Sequence, residues 1–313
     1  MNLTTTTYNI HSCVGTDNLY SVDRVTGVIR RDRPDIVCLQ EVEVNAIRTK
    51  TRIWSQYHED DQPALIASKV GLEYYVFAPA IHSCAQSNWK ERHQIVTTSD
   101  ISGNTAASAN RINLTDTQSL NHKNCSSMGK FGIAILSKYP ILQIKTHYYK
   151  RYKMKTQRNV LACLIELPDQ KQVWVVNTHL GCHFIGQEQA QQAKELVMFI
   201  RTLDRGSAIC GVVVCGDFNS PPWFSCIQEM NRQGLRDLWQ YSGGNEGTFP
   251  SYNAVPCIGK CFRKLLRLDY VFLTEDKGID CKTAYVSEDD SDASLASDHL
   301  PICTILSIDD KVN

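Results

Sequence analysis

Short apolar runs recur along the chain and set the pattern of its secondary structure. Each run is bounded by polar or turn-forming residues, and many of them are rich in valine, isoleucine and threonine. Short apolar runs of this kind are typical of buried β-strands. The predicted strands cover residues 3–11, 36–39, 74–77, 131–136, 160–167, 173–177, 212–215, 270–273 and 302–308.

Helical spacing of apolar residues separates some of these strands. Ser21 can cap a helix on which Val22, Val25 and Ile29 share one face, and that helix must end before Pro34. Further helices are expected at residues 64–70, 187–203 and 224–232. Strands with interleaved helices favour two sheets packed face to face with helices outside them.

The organisation along the chain indicates one α/β domain over residues 1–313, because no Pro/Gly/Ser-rich linker divides the pattern. Residues 81–129 are the exception, since serine, asparagine, threonine, glutamine and histidine dominate there. This polar insertion is too long for an ordinary loop. We interpret it as a disordered segment or a mobile flap that influences the choice of substrate.

Composition and charge restrict the class of protein. Lysine plus arginine equals aspartate plus glutamate at 33 each, so the net charge is zero. A neutral chain is not expected to coat nucleic acid non-specifically, although a local basic groove remains compatible with this balance. We find neither a secretory signal nor an apolar run of membrane-spanning length. We therefore expect an intracellular protein, cytoplasmic or nuclear, whose thirteen cysteines are mostly buried thiols.

Acids, amides and histidines recur at or just beyond the ends of the predicted strands. In chain order they are Asn9, Gln40-Glu41, Asn177-Thr178-His179-Leu180, Gly216-Asp217-Phe218-Asn219, Leu268-Asp269-Tyr270 and Ser297-Asp298-His299. Each has an alternative structural interpretation when taken alone, such as an Asx-turn at Asp217 or a buried core histidine at His179. Together, hard oxygen ligands with few thiolates favour Mg²⁺ or Mn²⁺ over zinc. The histidines add proton transfer or contact with a phosphate.

This ordered set resembles that of the endonuclease/exonuclease/phosphatase superfamily, the DNase I-like metal-dependent phosphohydrolases. The resemblance extends from Tyr8-Asn9-Ile10-His11 to Ser297-Asp298-His299, which is almost the whole chain. It implies a four-layer α/β/β/α sandwich and a Mg²⁺ or Mn²⁺ cofactor. Asn9 matches the first-strand amide near the metal, and Glu41, at the end of its predicted strand, matches the principal metal carboxylate. Asp298 matches the acid near a second metal, and the number of metals stays open.

The resemblance also implies catalytic roles. His179 matches the histidine that contacts the scissile phosphate and serves as an acid. Asp217 matches the acid that orients or deprotonates the attacking water, and Asn219 matches the amide that steadies the phosphate. Asp269 resembles the partner that orients His299, so we expect their side chains to lie within about 2.6–3.2 Å of each other.

Three interpretations of the function remain at this point. The leading one is hydrolysis of a phosphodiester in nucleic acid or a nucleotide-like ester, and the second is the same chemistry on a small or lipid-linked phosphate. The third is a catalytically inactive binding module, which the retained acids and histidines argue against. We expect a phosphoester substrate as the partner, no stable membrane anchor and a monomer.

Two basic segments bear on the substrate. Residues 145–158 carry six basic residues, three tyrosines and no acid, and Lys260, Arg263, Lys264 and Arg267 precede Asp269. Cations interleaved with aromatic rings suit a phosphate backbone with stacked bases. A solvated hairpin face explains residues 145–158 equally well.

Overall fold

The computed structural model describes residues 1–45, 58–83, 93–95, 111–113, 129–151, 156–241, 246–251, 264–276, 278–287 and 295–309. The α-helices in these ranges are α1 (Val22–Arg31), α2 (Gln62–Val70), α3 (Gln187–Arg201) and α4 (Ser225–Arg232). The strands are β1 (Asn2–Asn9), β2 (Ile36–Val44), β3 (Tyr74–Ser83), β4 (His93–Ile95), β5 (Arg111–Asn113), β6 (Gly129–Ser137), β7 (Ile141–Tyr148), β8 (Asn159–Glu166), β9 (Gln172–His179), β10 (Ile209–Asp217), β11 (Leu235–Asp237), β12 (Asp269–Thr274), β13 (Ile279–Val286) and β14 (Ile302–Ile308).

The strands form two mixed sheets. The first sheet has the order β13-β14-β1-β2-β6-β3-β4, with β5 paired to β3, and the second has the order β11-β12-β10-β9-β8-β7. The pairs β1–β2 and β9–β10 are parallel, whereas β12 runs antiparallel to β10. Parallel neighbours present their carboxyl ends at the same edge, so polar residues that follow these strands come together.

Three apolar layers hold the sheets and helices in place. Side chains such as Ile135 and Val175 pack between the two sheets. The outer face of the first sheet is covered by α1 and α2, and that of the second sheet by α3 and α4, where Leu196 packs near Trp174. The result is the predicted four-layer α/β/β/α sandwich of the DNase I-like fold.

The residues predicted to begin and end two of the helices do so in the structure. The Ser21 hydroxyl accepts a hydrogen bond from the Arg24 backbone N–H and caps α1, and Gly71 ends α2 with a φ of 77°. The pattern missed β7 and β13, in which half-buried or exposed positions separate the buried ones, so that neither strand forms one apolar run. Within the insertion, residues 81–83 belong to β3, residue 129 begins β6, and β4 and β5 each pair with β3. The other residues of the insertion lie outside the described ranges.

Several strand boundaries were predicted wrongly, and the end of β2 is the one that bears on the predicted site. The strand that contains Glu41 does not end there but continues to Val44. Its register against β6 shifts between Leu39 and Val42, and Glu41 adopts a positive φ of 55° at this irregularity. A β-bulge changes the direction of a side chain without ending the strand.

Two buried amides join the sheets below the polar edge. The Gln40 Nε2 atom donates to Asn177 Oδ1 at 2.8 Å. The Asn177 Nδ2 atom donates back to the carbonyls of Leu39 and Ala134 at 2.9 and 2.8 Å. Because Gln40 lies on β2 and Asn177 on β9, these bonds fix the two sheets relative to each other. Gln40 and Asn177 therefore have a structural role, which is to hold the two sheets together.

Other sequence expectations concern thiols and membrane segments. The described cysteines are all free, and all of them except Cys182 are buried. No helix within the described ranges is long and apolar enough to cross a membrane.

Candidate active site

Strand register brings three of the predicted residues to one edge of the second sheet. Asp217, at the end of β10, lies opposite His179 of β9 on one side and opposite Asp269 of β12 on the other. Neighbouring strands are about 4.8 Å apart, so these side chains are within reach of one another. Asp217 is 1% exposed and forms the centre of the group.

Asp217 is held by groups from both sheets. Its Oδ1 atom accepts a 2.8 Å hydrogen bond from the Asn219 backbone N–H. Its Oδ2 atom accepts a 3.0 Å hydrogen bond from Nδ2 of Asn9, which ends β1 in the first sheet. The Nε2 atoms of His179 and His299 lie 3.4 and 3.8 Å from the same oxygen. The site therefore spans the junction of the two sheets.

The pairing of Asp269 with His299 is confirmed. Nδ1 of His299 lies 2.9 Å from Oδ2 of Asp269, and both side chains are buried. The Ser297 hydroxyl accepts from the His299 backbone N–H and donates to the Asn9 carbonyl at 2.7 Å. The segment that carries His299 is thus attached directly to β1.

His179 is surrounded by donors. Nη1 of Arg158 lies 2.9 Å from His179 Nδ1, and Nδ2 of Asn219 lies 3.0 Å from His179 Nε2. The Asn219 carbonyl in turn accepts a 3.1 Å hydrogen bond from Nε2 of Gln189, a buried residue of α3. Sequence patterns singled out neither Arg158, which is one of six cations in a basic segment, nor Gln189, which is one glutamine in a polar helix.

Burial and neighbouring charges shift the pKa values of two side chains at the centre of the site, Asp217 and His299. Burial raises the pKa of Asp217 to about 7, opposed by His299 and reinforced by the Asp269 carboxylate. For His299, burial disfavours the charged form, but the carboxylates of Asp269 and Asp217 outweigh it and raise the pKa well above its ordinary value. A carboxyl with a pKa near neutrality suits a general base, and a protonated imidazole can stabilise developing negative charge.

Strand pairing places the backbones of the three predicted metal-binding residues at the same edge. In the β1–β2 register Asn9 is opposite Gln40, so Glu41 follows immediately beside it. Asp298 adjoins Ser297, whose hydroxyl contacts Asn9. Glu41 and Asp298 are both partly exposed, so their oxygens can reach a ligand from solvent. The left-handed backbone of Glu41 is a strained conformation of the kind that is common at functional sites.

The donor set fits a hard divalent cation. Within the described residues, only Asp217, Asp269 and His299 form a group of three histidine, cysteine or acidic side chains whose ligand atoms all lie within 4.8 Å of one another. The Oδ1 atom of Asp269 is buried and has no hydrogen-bond partner among the described residues. Carboxylate and amide oxygens from this group and from Asn9 are ligands that Mg²⁺ and Mn²⁺ prefer.

A four-layer sandwich with aspartate, asparagine and histidine gathered where its two sheets meet defines a hydrolase of the DNase I-like class. The model of the Endonuclease/Exonuclease/phosphatase family matches residues 6–299, so the chain belongs to this family. Members of the family are hydrolases that act on phosphoester bonds and usually use divalent metals. No curated protein matches the chain at a significant level.

Solved structures support the same fold. An endonuclease/exonuclease/phosphatase from Beutenbergia cavernae is 20% identical with a TM-score of 0.65, covering 98% of this chain and 72% of that one. The human Nocturnin catalytic domain with bound sulfate anion is 17% identical with a TM-score of 0.59, covering 98% and 94%. The mannosyl-6-phosphatase Bt3783 of Bacteroides thetaiotaomicron is 14% identical with a TM-score of 0.62, covering 98% and 100%.

Proposed function

We propose that this protein is a divalent-metal-dependent phosphoesterase that hydrolyses a phosphodiester by in-line attack of water. The observation that carries the proposal is the buried Asp217, which Asn9 and Asn219 orient and whose pKa is raised to about 7. A carboxylate in this condition can take a proton from water at neutral pH.

The remaining residues have different roles in binding the phosphate and stabilising the charge that develops on it. Asn219 and His179 lie next to each other beside Asp217 and can hold the non-bridging oxygens. Asp269 keeps His299 in one orientation, so that its imidazolium faces the charge that develops during the reaction. His179 can also donate a proton to the leaving oxygen.

Glu41, Asn9 and Asp298 would hold the metal, with the Asp217–Asp269–His299 group beside it. When bound, a Mg²⁺ or Mn²⁺ ion assists the water and polarises a phosphoryl oxygen, which lowers the barrier by stabilising charge.

For the substrate we favour nucleic acid or a nucleotide-like ester. The active-site ends of β7 and β8 carry Lys150, Arg151 and Arg158, next to the strand that carries His179. A row of cations beside the scissile position suits a chain of phosphates.

A second substrate class has its own supporting observation. Phe184 and Ile185, in the loop after His179, are 92% and 60% exposed, and Trp223, in the loop after Asn219, is 66% exposed. Apolar side chains on both loops suit a lipid-linked phosphate whose apolar part lies against them. The name of one similar structure, a mannosyl-6-phosphatase, refers to a small sugar phosphate, and this also supports the second class.

A hydrolysis panel separates these classes. Single-stranded and double-stranded DNA, RNA, sphingomyelin, inositol phosphates and bis-p-nitrophenyl phosphate are each offered with Mg²⁺ and with a chelator. We expect metal-dependent hydrolysis of the simple diester and faster hydrolysis of a nucleic acid. Faster hydrolysis of sphingomyelin would favour the second class, and no hydrolysis of any substrate would contradict the proposed function.

A further inference from the structure

We propose that Arg158 forms an anion-binding position beside His179, which takes a non-bridging oxygen of the substrate phosphate. The inference rests on the proposed function, because it names a further group of the same site that contacts the substrate. It starts from the charge of Arg158 and from its surroundings.

Arg158 is held firmly at the active-site end of β8. Its carbonyl accepts the Tyr149 backbone N–H at 3.1 Å. The neighbours on both sides are buried: Gln157 donates to the Tyr149 carbonyl at 2.8 Å, and Asn159 donates to the Ala78 carbonyl at 3.0 Å. A backbone fixed in this way restricts the side chain to the space next to His179.

The positive charge of Arg158 has no counter-ion within the described ranges. Several other described arginines form ion pairs, as Arg267 does with Asp237, Arg236 with Asp280 and Arg205 with Asp276. Arg158 forms no ion pair with a described carboxylate, although its side chain is half-buried. A partly desolvated cation without a partner is unfavourable, and an arriving anion removes this cost.

The hydrogen bonds of the guanidinium are also incomplete. Its single side-chain bond within the described residues joins Nη1 to His179 Nδ1 at 2.9 Å. The Nε atom is buried and has no partner among the described residues. A guanidinium offers five N–H donors in a fixed plane, and a phosphate can accept two of them side by side. Donors therefore remain for an anion that binds next to His179.

The contact with His179 has a second effect. Because a guanidinium only donates, His179 Nδ1 accepts this hydrogen bond. Arg158 thus orients the His179 ring in addition to providing positive charge at the place where a phosphate would lie.

The test compares Arg158→Gln and Arg158→Lys with Arg205→Gln in the full chain. Arg205 serves as the matched control because it pairs with Asp276 near the amino end of β10, whereas Asp217 ends that strand. Binding of inorganic phosphate is measured by calorimetry with and without Mg²⁺. We expect Arg158→Gln to bind phosphate about 10- to 100-fold more weakly, since hydrogen bonds to charged groups carry effects of this size. Arg158→Lys should recover part of the affinity, and Arg205→Gln should match the wild type.

Equal phosphate affinity in wild type and Arg158→Gln would overturn the inference, including the case in which neither protein binds phosphate. If the ¹⁵N chemical shifts of His179 change while the affinity does not, Arg158 is a positioning residue only. Circular dichroism and thermal melting identify a variant that fails to fold, and Arg158→Lys then provides the comparison. Phosphate binding that depends on Arg158 in a protein that hydrolyses no phosphoester would support the anion position and contradict the proposed function.

Discussion

Asn9 and Asp217 are 208 positions apart in the chain, yet Nδ2 of Asn9 donates a 3.0 Å hydrogen bond to Oδ2 of Asp217. The bond joins the end of β1 in one sheet to the end of β10 in the other. It also orients the carboxylate that we propose as the general base. The position of this oxygen is therefore set by the way in which the two sheets pack.

Replacing Asn9 by alanine tests this relationship. The change removes a donor from a buried carboxylate, and we expect the free energy of unfolding to fall by about 1–3 kcal/mol. Urea unfolding at pH 8 measures the effect, and kcat should fall as well because Asp217 is no longer held in place. Asn2→Ala is the control, since the Asn2 side chain bonds Lys282 at the surface. Equal losses of stability in both variants would show that the effect of Asn9→Ala does not come from the lost hydrogen bond to Asp217.

Asp217→Asn should separate catalysis from stability. Loss of a positioned proton-transfer group reduces kcat by about 10²–10⁴-fold, which steady-state kinetics with bis-p-nitrophenyl phosphate can measure. Because the folded pKa of Asp217 is raised to about 7, its contribution to stability is fully present below its ordinary pKa of 3.8 and is lost as the pH rises through about 7. The melting temperature of metal-free Asp217→Asn should therefore rise relative to wild type between pH 4 and pH 8.

Two results from wild type and Asp217→Asn would contradict this prediction. If Asp217→Asn melts well below wild type at pH 8 in the presence of a chelator, the carboxylate stabilises the fold. Turnover near the wild-type level would place the catalytic centre elsewhere.

Asp269→Asn should change the pH dependence of activity. The Asp269 carboxylate is one of the groups that raise the pKa of His299, so its removal should lower that pKa. If protonated His299 stabilises the transition state, the alkaline limb of the kcat/KM profile should move to lower pH. Asp276→Asn, at the far end of β12, should leave the profile unchanged. An unshifted limb in Asp269→Asn would show that this limb does not report His299.

Glu41→Gln and Glu43→Gln distinguish two acids of the same strand. We expect Glu41→Gln to weaken Mn²⁺ binding at least about tenfold, as losses around metal sites commonly do. Glu43 is buried, and its Oε2 atom lies 3.3 Å from Nε2 of His58. Glu43→Gln should therefore lower the melting temperature and leave the Mn²⁺ affinity close to that of wild type. Isothermal titration and thermal melting give the two readouts, and the reverse outcome would assign the metal to Glu43.

The sequence predicted the layers and most strands because buried strands appear as apolar runs between turn signals. It also predicted that Asp269 and His299 pair, since the two motifs could be compared with a known order. The continuation of β2 past Glu41 was not predictable, because a bulge leaves no compositional signal in a strand that goes on to Val44. The contact of Arg158 with His179 depends on which strands become neighbours, and a single sequence does not encode that adjacency in any local pattern.

The pairing of β1 with β14 has a consequence for the synthesis of the protein. Asn2 lies opposite Ser307 in this pair, so β1 cannot obtain this neighbour until β14 has emerged from the ribosome. Contacts between such distant segments form slowly, because a long loop must close. His299 immediately precedes β14, so a nascent chain lacks one of its two active-site histidines until translation has almost reached that strand. The Asp217–Asp269–His299 group is therefore incomplete in a growing chain until residue 299 has been added.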